Sequence, residues 1–462
     1  MENGKHTMNW LIDTGLKEAQ YWEMIRNNIV KCLLCPRNCR IKPGEFGFCK
    51  ARLNDNGELK TAIWGKMLTP SIEPIETEAV YHFWPGEKIV SVGNLGCNLS
   101  CDFCQNWESS NLENLSCDAV RYHTPESIVD LAKYFGLRVL SFTYNDPVIW
   151  FEFVYETARL ARQNGITTLF KSAAYISREA AQALTDVIDV FSISLKSINP
   201  STFSSMSKGR LEPVLDAIHT FHQSSSHLEI SHLIVPGLTD NLEEIEMLSH
   251  WIARELSDEI PVHFVRFHPC YHYTKVARTD IPFLESAQQT ALEAGLKYVY
   301  IGNTFQPGHG DSFCRHCGNQ LVKRFGLHTN IAGLSAAATC TLCGEKQHIV
   351  LQPHHHRPRQ SVTIPKNGNQ IWFWEDSDAR NLHLLVRNQS PRTAMLVCQH
   401  LDEKMNIIDC ETLSVPGEGE VRFAVGQVVD QEICVQVNYT DDIHCKISKL
   451  LDRAHFPLNA AC

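Results

Sequence analysis

The feature that most constrains this chain is the loop GCNLSCDFCQNW at 96–107, in which Cys97, Cys101 and Cys104 stand at C-x3-C-x2-C spacing. It follows the β-branched run Lys88–Val92 through Gly93, Asn94 and Gly96. Three thiolates from one short loop can ligate three irons of a cubane [4Fe–4S] cluster and leave the fourth open. An open iron can chelate a small molecule, and the amino and carboxylate groups of S-adenosylmethionine (SAM) suit it. An electron passed from the cluster into the sulfonium would break a carbon–sulfur bond and give a 5′-deoxyadenosyl radical. The cofactor pair would supply that chemistry, and the protein would orient and shield it. A structural zinc site or a disulfide pair competes, but no fourth Cys or His lies near enough in sequence to close a zinc tetrahedron. Cys117 reads as an ordinary buried thiol.

The surrounding chain alternates strand and helix signals. Strand-like runs fall at Lys88–Val92, Val139–Thr143, Thr167–Phe170, Val190–Leu195, Glu229–Val235, His263–Phe267 and Tyr298–Ile301. A helix is expected over Pro125–Phe135, with Thr124 as cap, Pro125 at the first position and Gly136 as stop. Another is expected over Val148–Asn164, ending at Gly165. Such alternation argues for parallel βαβ units, hence an α/β partial barrel with its site at the C-terminal strand ends. Residues 1–31 read as helical, from Trp22, Ile25, Ile29 and Val30.

Cysteine usage divides the rest. Of 18 cysteines in 462 residues, eleven fall into three compact groups. With no export-type leader and no apolar run long enough for a membrane span, clustered cysteines suggest metal ligands in a cytoplasmic protein. The net charge of −10 and the lack of a dense basic run give no reason to invoke nucleic acid. Cys314-x2-Cys317 and Cys340-x2-Cys343, each pair followed by glycine, read as a closed four-cysteine zinc ribbon. Cys32, Cys35, Cys39 and Cys49 also offer four thiolates. Zinc is the first reading there and an auxiliary iron–sulfur cluster the second, since both want four sulfurs. The five cysteines after residue 352 read as buried free thiols.

Residues 352–360, with His354–His356, read as a solvated linker. Beyond it Leu382, Leu384 and Val386, then Val421, Phe423 and Val425, then Ile433, Val435 and Val437 alternate with period two. That pattern predicts a small antiparallel, sandwich-like domain. The expected organisation is an N-terminal helical, cysteine-rich segment (1–87), a partial barrel (88–305), a zinc ribbon (306–351) and a C-terminal all-β domain (361–455).

Seven segments together carry a resemblance: CLLCPRNCRIKPGEFGFCKAR, PIETEAVYHFWPG, GCNLSCDFCQNWE, FTYNDPVIWFE, LIVPGLTDN, HFVRFHPCY and GLKYVYIGNT. The chain resembles the AmmeMemoRadiSam-system radical SAM enzymes, relatives of the pyruvate formate-lyase activating enzymes, over about residues 15–350. The resemblance implies that Phe103 sits against the adenine of SAM. It also implies that Tyr144, Asn145 and Asp146 form the segment binding the SAM amine, with Asp146 where the family usually has Glu. A carboxylate there would accept hydrogen bonds from the ammonium, and Asp146 before Pro147 is also a natural helix cap. Lys196 would reach the SAM carboxylate or a substrate anion, with an exposed strand-end lysine as the alternative. Three positions depart from the family. Ser194-Leu195-Lys196 stands for Asp-Leu-Lys, Ser172-Ala173-Ala174-Tyr175 for Thr-Asn-Gly-Tyr, and Cys270 for Asp. These put substrate contacts in doubt more than SAM binding. Arg266, His268 and Tyr271 are further candidates at the barrel mouth.

The first functional reading is an enzyme that cleaves SAM reductively and takes hydrogen from an unknown protein or small-molecule substrate. A reducing electron donor and companions of the Memo and AMMECR types would be its partners. The alternative is a non-catalytic, metal-bound scaffold on a degenerate barrel, and the intact cysteine loop argues against it. A methyltransferase-type use of SAM is weaker, as it would need neither the cluster nor this loop and no glycine-rich dinucleotide-style loop is present.

Overall fold

The computed structural model describes residues 11–352 apart from 13–14, 113–114 and 116, and the backbone of seven strands between 370 and 449. Two compact units emerge, the larger reaching Gln352 and the smaller carrying the later strands.

The larger unit is organised around one eight-stranded sheet. Its strands are β1 (Ser71–Pro74), β2 (Lys88–Gly93), β3 (Val139–Thr143), β4 (Thr167–Ser172), β5 (Val190–Ser194), β6 (His227–Ile234), β7 (Val262–Arg266) and β8 (Val299–Gly302). They lie side by side in chain order. β2 to β8 are parallel, and β1 runs antiparallel along β2 at the edge. All seven strands expected from the sequence form, with ends shifted by a residue or two. The eighth, β1, carries Pro74 and gives no alternation to read, which suits an edge strand.

Register explains the two faces. Lys171, Ser192 and Glu229 are neighbours across three strands, and Ser194, Ser231, His263 and Tyr300 across four. Cross-strand partners share a face, so this face is polar. The opposite face carries Phe170, Phe191 and Leu228 in one row and Ile193, Ile230 and Val262 in another. Helices return on that side, as parallel connections require. Phe191 stacks on Phe221 of the helix Glu212–His222 at 4.0 Å. Each fully buried aromatic contributes about 1.5–3 kcal/mol relative to exposure.

The helix Pro125–Tyr134 forms as expected, one residue short. The segment read as Val148–Asn164 divides into a 3-10 turn, Pro147–Trp150, and a helix, Phe151–Gln163. Pro147 occupies the first position of the turn and the Asp146 carboxylate accepts from the Val148 N–H, so the entry is capped as its residue types suggest.

The helical reading of residues 1–31 holds only at Leu11 and Ile12 and is wrong over the rest of what is described, where Lys17–Glu18 is already strand. Trp22–Arg26 and Ile29–Cys32 pair as an antiparallel hairpin. Asn27 and Asn28 both take left-handed backbone, at φ 51° and 57°, and make the two-residue turn that Asn tolerates. The spacing of Trp22, Ile25 and Ile29 imitated a helical stripe across that turn. A second hairpin, Arg52–Asp55 with Glu58–Thr61, turns at Asn56-Gly57. Arg52 then forms a fully buried pair with Glu152 of the helix Phe151–Gln163, fastening this segment to the barrel. Cys117 is also corrected: it is exposed rather than buried.

Residues 312–331 form a three-stranded antiparallel sheet with Leu321, Val322, Cys314, Cys340 and Ile349 as its small core. Buried Arg324 holds it to the barrel base. Its guanidinium donates to the carbonyls of Tyr81 (2.7 Å) and Gly310 (2.8 Å) and lies 3.6 Å from Glu76.

The smaller unit holds two antiparallel sheets. One joins Gln370–Glu375, Asn381–Asn388 and Gly419–Gln427; the other joins Ile407–Val415, Ala394–Leu401, Glu432–Asn438 and His444–Lys449. The alternating triplets seen in the sequence fall within these strands. The sandwich packing, the state of the five late cysteines and the linker histidines concern side chains or residues outside those described. Among the described residues, no helix is long and apolar enough to cross a membrane.

Candidate cluster and cofactor site

The cysteine loop leaves β2 at Gly93, where a Cβ would lie 2.5 Å from the Tyr144 ring; only glycine fits that approach. Gly96 has φ +82°, and a Cβ there would lie 2.7 Å from the Cys49 carbonyl oxygen. Backbone and side-chain hydrogen bonds then fix the loop. The Gly96 N–H donates to Ser109 O at 2.8 Å, and the Leu99 N–H points to Cys97 Sγ at 3.4 Å. Asn145 Nδ2 donates to Asn94 O at 2.6 Å, while its Oδ1 accepts from the Ser109 and Ser110 hydroxyls at 3.0 and 3.1 Å. Ser110 Oγ also lies 3.6 Å from Cys104 Sγ. Asn145 therefore braces both ends of the cysteine loop from the neighbouring strand end.

Burial pushes the Cys101 thiol up to about 11, against the opposing pull of the Lys196 cation. Burial and then the Asp146 carboxylate push Cys97 well above its ordinary value. A cation at the thiols would reverse that penalty, because a coordinating metal deprotonates them outright. The donor set, three thiols with a carboxylate and an ammonium beside them, fits a metal cluster carrying an amino-acid ligand.

Asp146 is buried at the end of β3. Its carboxylate accepts from Ser172 Oγ (2.8 Å), the Val148 N–H (3.2 Å) and the Ala173 N–H (3.1 Å). Its pKa is raised by burial, with those three bonds opposing. The cap role expected for Asp146 is thus present. Ser172 and Ala173, where the segment departs from the family pattern, are the residues that hold it. Tyr144, at φ 70°, donates its hydroxyl to Glu73 at 3.0 Å and pairs with Ser71, both on β1. Lys196 is half-buried, and its charge acts on Cys101, Asp146 and Lys171. Phe103 packs with Met206, Val235 and Phe267.

The loop after β7 lies over the cysteine loop. Tyr271 stacks on Trp107 at 5.3 Å, and the His272 N–H donates to Asp102 O at 3.0 Å. Cys270 Sγ sits 3.9 Å from Gln105 O. Arg266 is turned to Thr279 O (2.8 Å), and His268 is exposed.

Comparison with known proteins agrees with this geometry. The sequence pattern of the radical SAM superfamily matches residues 92–252, from the end of β2 into the segment after β6. The uncharacterized protein MJ0808 of Methanocaldococcus jannaschii is 39% identical over 341 residues, covering 73% of this chain and 100% of that protein. The chain belongs to the radical SAM superfamily. Similarity to the pyruvate formate-lyase-activating enzyme of Listeria monocytogenes is distant, 24% over 171 residues, and spans 34% of this chain and 66% of that enzyme. A solved domain of pyruvate-formate lyase-activating enzyme from Bacteroides vulgatus shares 17% identity over 35% of this chain and 98% of that one, at a TM-score of 0.32. Family membership implies an enzyme with a [4Fe–4S] cluster and SAM.

On the polar face of the eight-stranded sheet lies a group that the sequence pattern does not mark. Glu78 reaches inside the sheet, accepting from Ser141 Oγ (2.8 Å) and Thr143 Oγ1 (2.7 Å). Lys171 donates to Glu78 O, Ser192 Oγ and Ser231 Oγ at 3.0–3.1 Å. Burial raises the Glu78 carboxyl to about 7 and lowers Lys171 to about 8. Ser194 is part of the same layer, 3.1 Å from Ser231. The signal was present in a lysine next to the C-terminal end of a mostly apolar strand, Thr167–Ser172, and in the run of acids Glu73, Glu76 and Glu78.

The four ribbon cysteines converge, with all sulfurs within 4.8 Å of one another. Gly318 and Gly344, at φ +72° and +78°, make the two knuckle turns. Among the described residues no other group of three or more Cys, His, Asp or Glu closes so tightly. Cys32, Cys35, Cys39 and Cys49 instead line a small cavity together with Arg52 and Asn98.

Proposed function

We propose that this chain is a radical SAM enzyme of the AmmeMemoRadiSam type that abstracts hydrogen from a protein or small-molecule substrate. The observation that carries the reading is the juxtaposition at the barrel mouth of Cys97, Cys101 and Cys104 with Asp146 and Lys196 from neighbouring strand ends. When bound, the cluster and SAM supply reductive cleavage of the sulfonium. The residues of the chain do the rest. Cys97, Cys101 and Cys104 hold three irons. Asp146, poised by Ser172 and Ala173, accepts from the SAM ammonium, and Lys196 meets the carboxylate. Phe103 stands beside Cys104 to meet the adenine, while Asn145 and Tyr144 hold the loop in register. Glu78, Lys171, Ser194 and Ser231 form the floor on which a polar substrate rests. Exclusion of water falls to the Cys270–Tyr273 loop over Trp107.

In this reading the ribbon cysteines carry structural zinc, a reducing donor supplies electrons in the cytoplasm, and Memo-type and AMMECR-type proteins are companions. Nucleic acid and membrane are not partners. The test is anaerobic incubation of the cluster-loaded enzyme with dithionite and SAM, with 5′-deoxyadenosine read by mass. Product from the wild type and none from Cys101→Ala supports the reading. No product from a preparation with a full, reducible cluster would sink it in favour of the scaffold.

A further inference from the structure

We infer that Cys32, Cys35, Cys39 and Cys49 hold a second iron–sulfur cluster of the cubane type, sharing a wall with the radical SAM loop, rather than a zinc ion. The ribbon supplies the contrast. Zinc–sulfur bonds of about 2.3 Å place neighbouring sulfurs of a tetrahedron about 3.8 Å apart. The ribbon meets that, with Cys314–Cys343 and Cys317–Cys340 both at 3.6 Å. The N-terminal thiols do not converge as tightly. They surround a cavity walled by Leu34, Ile41 and Ile149, all nearly inaccessible to solvent. A cubane presents its four irons at separate corners, so its ligands must stand apart around a space.

The frame resists collapse onto one ion. Cys32 ends a paired strand, and its N–H donates to Cys39 O at 2.9 Å. Asn38 N–H closes a turn onto Cys35 O, and Lys50 N–H closes another onto Gly47 O. Gly47 also lines the cavity, and a Cβ there would press on Ile41 at 3.2 Å. The Cys49 carbonyl is fixed against Gly96.

Two further observations point to a redox centre. Arg52 is 1% exposed and lines the cavity, with Nη1 3.7 Å from Cys32 Sγ. Its Nε has no partner. A guanidinium donating to cluster sulfurs is one of the means by which a protein sets a cluster's potential. Asn98 lines the same cavity and is the residue after Cys97; its carbonyl accepts from Arg37 and its side chain donates to Tyr175 O at 2.7 Å. The two cysteine groups are therefore separated by little more than the Gly96–Asn98 backbone. A centre there stores one electron beside the loop that uses one.

This inference stands apart from the SAM reading, and one experiment separates them. The full chain is purified without oxygen and without added iron or sulfide, and iron, sulfide and zinc are counted per chain. Two cubanes and one zinc are expected; one cubane and two zincs would overturn the inference. The variant Cys97→Ala/Cys101→Ala/Cys104→Ala is expected to keep one cubane's iron and sulfide, with a half-integer-spin resonance on reduction. An iron-free triple variant that is folded would overturn it, and if that variant does not fold the wild-type count decides. In the pair Arg52→Gln/Glu152→Gln, the midpoint of this centre should shift to more negative potential while the other stays. A wild type with two cubanes that makes no 5′-deoxyadenosine would sink the function and leave this site standing.

Discussion

The ribbon and the barrel loop use cysteine in opposite ways. The ribbon gathers four thiols within 4.8 Å, on knuckles that bring them to a point. Every coordination position is then taken by protein, which suits a structural ion. The barrel loop offers three, and its surroundings supply a carboxylate and an ammonium rather than a fourth thiol. What the loop lacks is what makes room for a ligand. The loop is also braced from outside itself, by Asn145, Tyr144 and Arg37, whereas the ribbon is braced by its own sheet.

The largest effect that would break this contrast comes from the barrel loop. Cys101→Ala should abolish cluster-dependent SAM cleavage while the zinc proposed for the ribbon is retained, as read by metal counts and 5′-deoxyadenosine yield. Loss of zinc from the same variant would show the two sites to be coupled. The next effect belongs to the ribbon. Structural zinc contributes about 10–16 kcal/mol in small finger peptides, far more than the five-residue apolar core around Cys314 and Cys340 can replace. Cys317→Ala should leave residues 312–350 open to limited proteolysis, with 5′-deoxyadenosine formation preserved. If product is lost along with the ribbon, the Arg324 tie to Tyr81 and Glu76 matters to the site as well as to stability.

A smaller, pH-dependent effect tests the barrel floor. Glu78 is raised to about 7 by burial and by the Glu73 charge, with Lys171 opposing. Its unfolded value is lower, so the folded protein keeps the proton in a range where the unfolded chain has lost it. Stability therefore falls as pH rises from about 4.5 to about 7, on the order of 1 kcal/mol per unit. Lys171, lowered to about 8, acts in the separate window above that value and in the opposite sense. Glu78→Gln should remove the acidic-side slope. Melting temperatures at about pH 5 and about pH 7 check it, and an unchanged slope in the variant would mean that Glu78 ionises freely.

Much of this was legible in sequence because it is local. C-x3-C-x2-C and the paired C-x2-C knuckles are set by neighbours in the chain, and the βα alternation is set by periodicity. The hairpin at Asn27-Asn28 was missed because apolar residues on both sides of a tight turn fell at helical spacing. β1 was missed because an edge strand with Pro74 carries no pattern. Glu78, Lys171 and the cavity that Cys32, Cys35, Cys39 and Cys49 line depend on which segments meet, and no local rule reports that.

The smallest effect separates two roles of one residue. Asp146 caps the turn Pro147–Trp150 and faces Cys97 and Cys101. Asp146→Asn keeps an oxygen for the Val148 N–H and the Ser172 hydroxyl but turns its amide toward the Ala173 N–H, a buried donor left without an acceptor, so stability should fall by about 1–3 kcal/mol. It removes the charge that would meet the SAM ammonium, and a charge-assisted hydrogen bond contributes about 1.5–3 kcal/mol. The KM for SAM should therefore rise about tenfold or more, beside a modest fall in melting temperature. An unchanged KM with a lowered melting temperature would leave Asp146 as a cap alone and pass the ammonium to another acceptor. Asp146→Ala, losing cap and charge together, should show both changes, and the difference between the two variants measures the cap.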